Sequence, residues 1–121
     1  MEDRIRFIEH KGKQVLLVDI SHCNAADLER IAGYVPKYVT AEPRGSVLLL
    51  ADFTGAEFSR EAAMRLKDST VFDRPHLKRS AWVGAESIPH VFYENIKNFS
   101  QRDLPTFKTR EEALEWLVKG K

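Results

Sequence analysis

The chain has 121 residues, of which 43% are hydrophobic and 31% charged, with a formal net charge of +1. That length can bury a core without help from metal or disulfides, and the composition is that of a globular protein, not a disordered or fibrous one. The near-neutral balance gives no field for steering nucleic acid, the single Cys23 excludes an internal disulfide or a cysteine-cluster metal site, and the longest apolar run, Val47 to Ala51, is far too short to cross a bilayer.

One thiol and no signal peptide lead us to expect a single domain, residues 1–121, in a reducing cytoplasm. Arg4 to His10 alternates apolar and polar residues, the period of a half-buried strand. Lys11-Gly12-Lys13 reads as a turn. Gln14 to Ile20 is a nearly continuous apolar run, as in a strand covered on both faces. From Ser21 the spacing becomes helical. Asn24 is a good N-cap, and Asp27 sits well against the helix dipole. Leu28, Ile31 and Ala32 form the apolar face, while Gly33 and Pro36 predict a bend or an early end near Tyr34.

Gly45 to Phe53 is the second buried strand. Ser59 to Phe72 is the next helix, with Ala62, Ala63 and Leu66 inward. Asp73 to His76 is a turn, and Leu77 to Ala85 a strand with Trp82 and Val83 beside Gly84. Ser87 is a natural cap for the helix that follows, to Arg102, with Pro89 in its tolerant first turn. Leu104 to Thr109 is a short strand that Pro105 assigns to an edge. Thr109 to Gly120 is the last helix. Thr109 and Glu112 make a capping box there, and Gly120 is a stop.

The order β-β-α-β-α-β-α-β-α predicts an α/β fold. Its five-stranded sheet is mostly parallel with right-handed crossovers, helices pack against it, and the opening hairpin supplies one antiparallel edge strand. Ligands of such sheets bind at the carboxyl ends of the strands. Three loops lie there: Asp19 to Asn24, Asp52 to Phe58 and Gly84 to Ser87. The candidate ligand- or partner-binding rim is therefore Asp19, His22, Asp52, Phe53, Thr54, Gly55, Phe58, Gly84 and Ser87.

Asp19 and Asp52 each end a buried strand. On neighbouring strands they would share one rim, and the pair would raise one pKa, as a catalytic dyad does. An aspartate in that position also simply accepts backbone N–H bonds in its own loop. Thr54-Gly55 admits three readings: a helix cap formed with Glu57, an anion site built from loop amides and a helix dipole, or a phosphoacceptor hydroxyl on Thr54. No GxxxxGK[ST] pattern is present, which argues against P-loop chemistry.

His22 and Cys23 are adjacent, and adjacent residues rarely point at each other, so they make a poor dyad. His10, His22, His76 and His90 have no i,i+4 partner, so no metal is expected. The basic stretch Arg74 to Arg79 reads as a solvated turn, not an RNA patch. The helix after Ser87 carries more apolar residues than one stripe needs. Phe92, Ile96 and Phe99 share the core face. Val91 or Tyr93 is then left for a protein partner, a homodimer or a greasy ligand.

The element order, and the phrases "VLLVDIS", "LLLADFTG" into a helix, "SAWVG" before a helix and "FKTREEALEWL" at the end, resemble a STAS domain. More narrowly, the chain resembles the SpoIIAA-like group of stand-alone bacterial proteins, relatives of the anti-sigma-factor antagonists. In those antagonists the turn after the strand reads Asp-Ser-Ser/Thr-Gly, and the serine following the aspartate is phosphorylated by a partner kinase. Asp52, Thr54 and Gly55 match that pattern, but Phe53 stands in the phosphoserine slot and has no hydroxyl. The resemblance implies a non-enzymatic signalling or protein-interaction module without a cofactor. Likeness of the fold to lipid-binding Sec14-like domains implies the alternative, a carrier or sensor of a small apolar ligand, and the anion reading of Thr54-Gly55 extends that alternative to a nucleotide or phosphate. A hydrolase using Asp19, Asp52 and His22 is the remaining reading.

Overall fold

The first strand, β1 (Ile5–His10), folds back on β2 (Lys13–Asp19) through Lys11 and Gly12, both at positive φ, 51° and 81°. Two left-handed residues give the turn whose twist matches that of the flanking strands. The structure is a computed structural model and describes residues 4–100 and 105–119, without the side chains of residues 99 and 100.

From β2 onward strand and helix alternate: α1 (Ala25–Val39), β3 (Val47–Asp52), α2 (Arg60–Asp73), β4 (Leu77–Val83), α3 (His90–Ser100), β5 (Thr106–Phe107) and α4 (Arg110–Lys119). The sheet order is β1-β2-β3-β4-β5, with β1 antiparallel and the other neighbours parallel. This is the mixed α/β sheet expected, with β5 at an edge.

Alternate residues of the central strands feed two cores. Leu16, Val18, Leu49, Ala51 and Trp82 meet Leu28 and Ile31 of α1, Leu66 of α2 and Ile96 of α3. On the other face Val15, Leu17, Leu50, Ala81 and Val83 meet Ala113 and Leu117 of α4. Three helices thus cover one face and a single helix the other. Burial of both faces is why the strands read as continuous apolar runs.

Helix α4 is also held by polar contacts. Glu115 accepts from Lys11 Nζ (2.7 Å) and pairs with His10 Nε2 (2.9 Å). Arg79 donates to the Trp116 carbonyl (2.9 Å) and lies over its indole, 4.8 Å from the ring centroid. The basic stretch is therefore only in part a solvated turn, because Arg79 is used in packing. His76 also reaches back, its Nδ1 2.9 Å from the Glu42 carbonyl oxygen.

The helix starts and stops bear out some expectations and correct others. Asn24 and Ser59 cap α1 and α2, accepting from the Asp27 and Ala62 amides at 2.8 and 3.0 Å. Helix α1 does not end near Tyr34. It runs through Pro36 to Val39, because Val35 and Val39 continue the buried stripe and packing outweighs the lost N–H. The carbonyl of Pro36 takes both the N–H and the hydroxyl of Thr40 (2.9 and 2.7 Å).

Ser87 does not cap α3. It closes a short 3-10 turn, Ala85–Ser87, and Pro89 immediately precedes the helix, its carbonyl accepting from Phe92 and Tyr93. Val91 is 68% exposed. Tyr93 is half-buried instead, edge-on to Trp82 at 6.0 Å. Thr109 caps α4 by accepting from the Glu112 amide (3.2 Å), while the Glu112 carboxylate takes the Lys108 amide (3.3 Å). The Phe99 side chain and Gly120 lie outside the described residues. Among the described residues, no helix is long and apolar enough to cross a membrane.

Candidate functional site

The parallel register sets Asp19 beside Asp52 and Asp52 beside Val83, so the loops after β2, β3 and β4 leave the sheet at one end. They are stitched to each other. The Ile20 amide donates to the Asp52 carbonyl (2.9 Å), His22 to that of Thr54 (2.8 Å) and Phe53 to that of Val83 (2.7 Å). The Gly55 amide donates to the Ser87 hydroxyl oxygen (2.8 Å).

The first two loops are built alike. After β2, the Ser21 amide and hydroxyl both donate to Asp19 Oδ1 (3.1 and 2.5 Å). After β3, the Thr54 amide and hydroxyl both donate to Asp52 Oδ1 (3.0 and 2.7 Å). Ile20 and Phe53 follow the aspartates and are buried. His22 and Gly55 then take left-handed φ, 60° and 69°. The Cys23 and Ala56 amides close the turns onto the Ile20 and Phe53 carbonyls (3.2 and 2.9 Å). Asp19-Ile20-Ser21-His22 and Asp52-Phe53-Thr54-Gly55 thus share one local code, carboxylate, apolar anchor, hydroxyl, left-handed residue. The chemical difference at each position hides the repetition in the sequence.

Two glycines are closely approached by neighbouring loops. A Cβ on Gly55 would lie 2.5 Å from His22 Nδ1, and one on Gly84 would lie 2.5 Å from the Thr54 backbone nitrogen. Both glycines also sit at positive φ, 69° and 74°.

Arg110, the first residue of α4, closes the arrangement. Its Nε donates to Asp52 Oδ2 (2.6 Å) and its NH2 group lies 2.9 Å from Asp19 Oδ1. Arg4 adds bonds to the Asp19 and Ser21 carbonyls (3.2 and 3.0 Å). Burial works against the charge of Asp19, but the Ser21 hydrogen bonds and the Arg110 charge outweigh it and hold the carboxyl below its usual range. Burial likewise opposes the Arg110 charge, yet Asp52 and Asp19 raise its pKa. The neighbouring carboxylates are therefore not a dyad with Asp19 as the raised member. A cation stands between them. The signal that could have placed it was the capping box at Thr109, which puts residue 110 in a helix's first turn, but nothing local says which strand that turn meets.

The structure also revises the readings of Thr54-Gly55. No capping box forms, because α2 starts at Arg60 under Ser59, and the Glu57 amide donates to the Cys23 carbonyl (2.9 Å). The amides of Phe53, Thr54, Gly55, Ala56 and Glu57 all have protein acceptors. The turn has no spare donors for an anion, and the helix dipole lies farther along the chain. The Thr54 hydroxyl donates to Asp52, so a phosphoryl group there would displace that bond.

Of the sequence-predicted rim residues, Asp19, His22, Asp52, Thr54, Gly55, Gly84 and Ser87 come together. Phe53 is fully buried against Trp82 (centroids 4.7 Å), so it underlies the rim without facing a partner. Phe58 is half-buried between Phe53 and Phe92. His22 is exposed over Gly55. Cys23 is buried, and burial pushes its thiol up. No His/Cys/Asp/Glu group suited to a metal occurs among the described residues. Searches against protein-family models, curated proteins and solved structures find no match to the chain.

Proposed function

We propose that the chain is a non-enzymatic binding module of the STAS type, acting in the cytoplasm, and that a protein partner docks on the rim formed by the Asp19–Asn24, Asp52–Phe58 and Gly84–Ser87 loops and the start of α2. One observation carries the reading: the carboxylates, hydroxyls and loop amides of the rim are spent on one another. Asp52 holds Thr54 and Arg110, Asp19 holds Ser21 and Arg110, and the amides from Phe53 to Glu57 are bonded within the protein. A surface locked in this way is preorganised, which lowers the ordering cost of association. The resemblance of Asp52, Thr54 and Gly55 to the antagonist turn points to the same face.

The test is native mass spectrometry of the protein purified from its own host, unmodified and as Thr54→Glu and Thr54→Ala. Thr54→Glu sets a carboxylate against Asp52 and should release a stoichiometric partner that Thr54→Ala retains. Equal recovery of the partner with both variants would refute a switch at Thr54. A chain that carries a bound small molecule and no protein would refute the docking reading.

A further inference from the structure

The core between α1, α2 and the sheet is not completely filled. A void of about 40 Å³ remains, walled by apolar side chains that include Val35, Leu49, Leu66 and Trp82. Its polar lining is Ser69, Thr70, Asp73 and Ser80, and among the described residues Asp73 is the one ionisable residue that lines it. Asp73 ends α2, with three residues between it and the start of β4, so it sits at the opposite end of the sheet from the rim. The residue is only 4% exposed. Its Oδ2 accepts the Ser69 hydroxyl (3.2 Å), and its Oδ1 has no hydrogen-bond partner.

A buried carboxyl oxygen without a partner calls for an occupant, because leaving it bare in an apolar wall is costly. The remaining chemistry says which kind. The Ser69 proton is spent on Asp73, and the Thr70 proton on the Lys67 carbonyl (2.7 Å). Both hydroxyls have only lone pairs left to offer. With the Ser80 hydroxyl beside them, the lining offers mostly acceptors, and its described residues pair one potential negative charge with no cation. The matching group carries donors only and a positive charge, which describes an ammonium. The size agrees. Holding one water takes roughly 10–15 Å³ on the same measure, so a group of a few heavy atoms fits.

We propose that this void is a binding site for a compact primary ammonium, ammonium itself or a short alkylammonium such as methylammonium, held by Asp73 Oδ1. The site is separate from the rim and does not depend on the rim's proposed role. Burial lifts the Asp73 carboxyl to about 7, against the opposing Ser69 hydrogen bond, so near neutrality an incoming cation meets a group that needs little to ionise.

The experiment uses the full chain with aspartate labelled at its carboxyl carbon. Ammonium chloride and methylammonium chloride are compared with sodium chloride and sodium acetate at matched ionic strength. The ammonium salts should raise Tm saturably, and the sodium salts should not. At saturation the Asp73 titration midpoint should fall by about 1–3 pH units, as for a carboxylate given a close opposite charge. Asp73→Asn keeps the shape without the charge and should abolish the ammonium-specific change in Tm. Equal responses to sodium and ammonium, or a response that survives Asp73→Asn, overturns the site. So does a crystal soaked in methylammonium with only a water against Oδ1. Should Asp73→Asn fail to fold, the unmodified chain decides alone: a midpoint that does not move overturns the proposal.

Discussion

Arg110 Nε stands 2.6 Å from Asp52 Oδ2, joining the first turn of the last helix to the end of a central strand 58 positions earlier. Asp52 is buried and Arg110 half-buried, so the guanidinium is the partner that Asp52 Oδ2 has in place of water. Removing it leaves two neighbouring carboxylates without their shared partner. Arg110→Ala should cost about 1–3 kcal/mol, the range for orphaning a buried acceptor. Urea denaturation of the variant measures this, and a midpoint equal to the parent's would mean that the bridge is ornamental.

Gly84 and Gly12 make a controlled pair. Both have positive φ, but a Cβ at Gly12 meets nothing within 4 Å, whereas one at Gly84 meets the Thr54 backbone. Gly12→Ala should show the conformational cost alone, about 1–3 kcal/mol. Gly84→Ala should cost clearly more, because a backbone atom cannot rotate away. Thermal denaturation of the two variants side by side checks the order, and the reverse order would contradict the packing of the third loop against the second.

The two like-built turns give a graded comparison. Ser21→Ala and Thr54→Ala each remove one hydroxyl from a carboxylate, for about 1.5–3 kcal/mol where the acceptor is fully charged and shielded. Asp52 is more buried than Asp19, so the loss at Thr54 should be the larger. Chemical denaturation of both variants and of the double variant tests this. If the two turns act separately the losses add. Coupling through Arg110 would appear as a non-additive term.

Asp73 sets a pH dependence of its own. Its folded pKa is raised to about 7, while an unfolded aspartate titrates near 3.9. Between those values the unfolded chain has lost a proton that the folded chain keeps. Stability from this group is therefore complete below about pH 4 and declines as pH rises toward 7. At 1.36 kcal/mol per unit the decline is on the order of 4 kcal/mol at most. Asp19 runs the other way. Its folded pKa is lowered, so its contribution is present above the unfolded value and is lost in acid. Asp73→Asn should flatten the decline toward neutrality and leave the loss in acid. Denaturant midpoints from pH 3 to 8, in amine-free buffer, give the comparison, and identical profiles would exclude Asp73 as the titrating group.

Local chemistry was legible in the sequence where it acts within a few residues. Asn24 and Ser59 cap their helices because each meets an amide three positions on. The strands showed as apolar runs because both faces are covered. What escaped depends on distance. Ser87 has the composition of a cap, but its oxygen is taken by Gly55, which is 32 residues away. Pro36 has the propensity of a breaker, yet buried Val35 and Val39 hold the helix on course. The rim aspartates could be placed on one edge, but Arg110 could not, because its meeting with them depends on how α4 lies across the far face. Asp73 gave no signal at all, since an aspartate at the end of a helix is normally a solvated one.

The solitary position of α4 has a consequence for how the molecule comes together. Strands β1 to β4 and the helices on their shared side are neighbours both in space and in chain order, so they can assemble progressively as the polypeptide lengthens. The reverse side cannot. Until residue 110 and its helix arrive, Val15, Leu17 and Leu50 lack their cover, and Asp52 lacks its cation while Asp19 has only Arg4, 3.7 Å away. The last helix therefore acts as a clasp: it covers the greasy side and neutralises the paired charges in a single docking step.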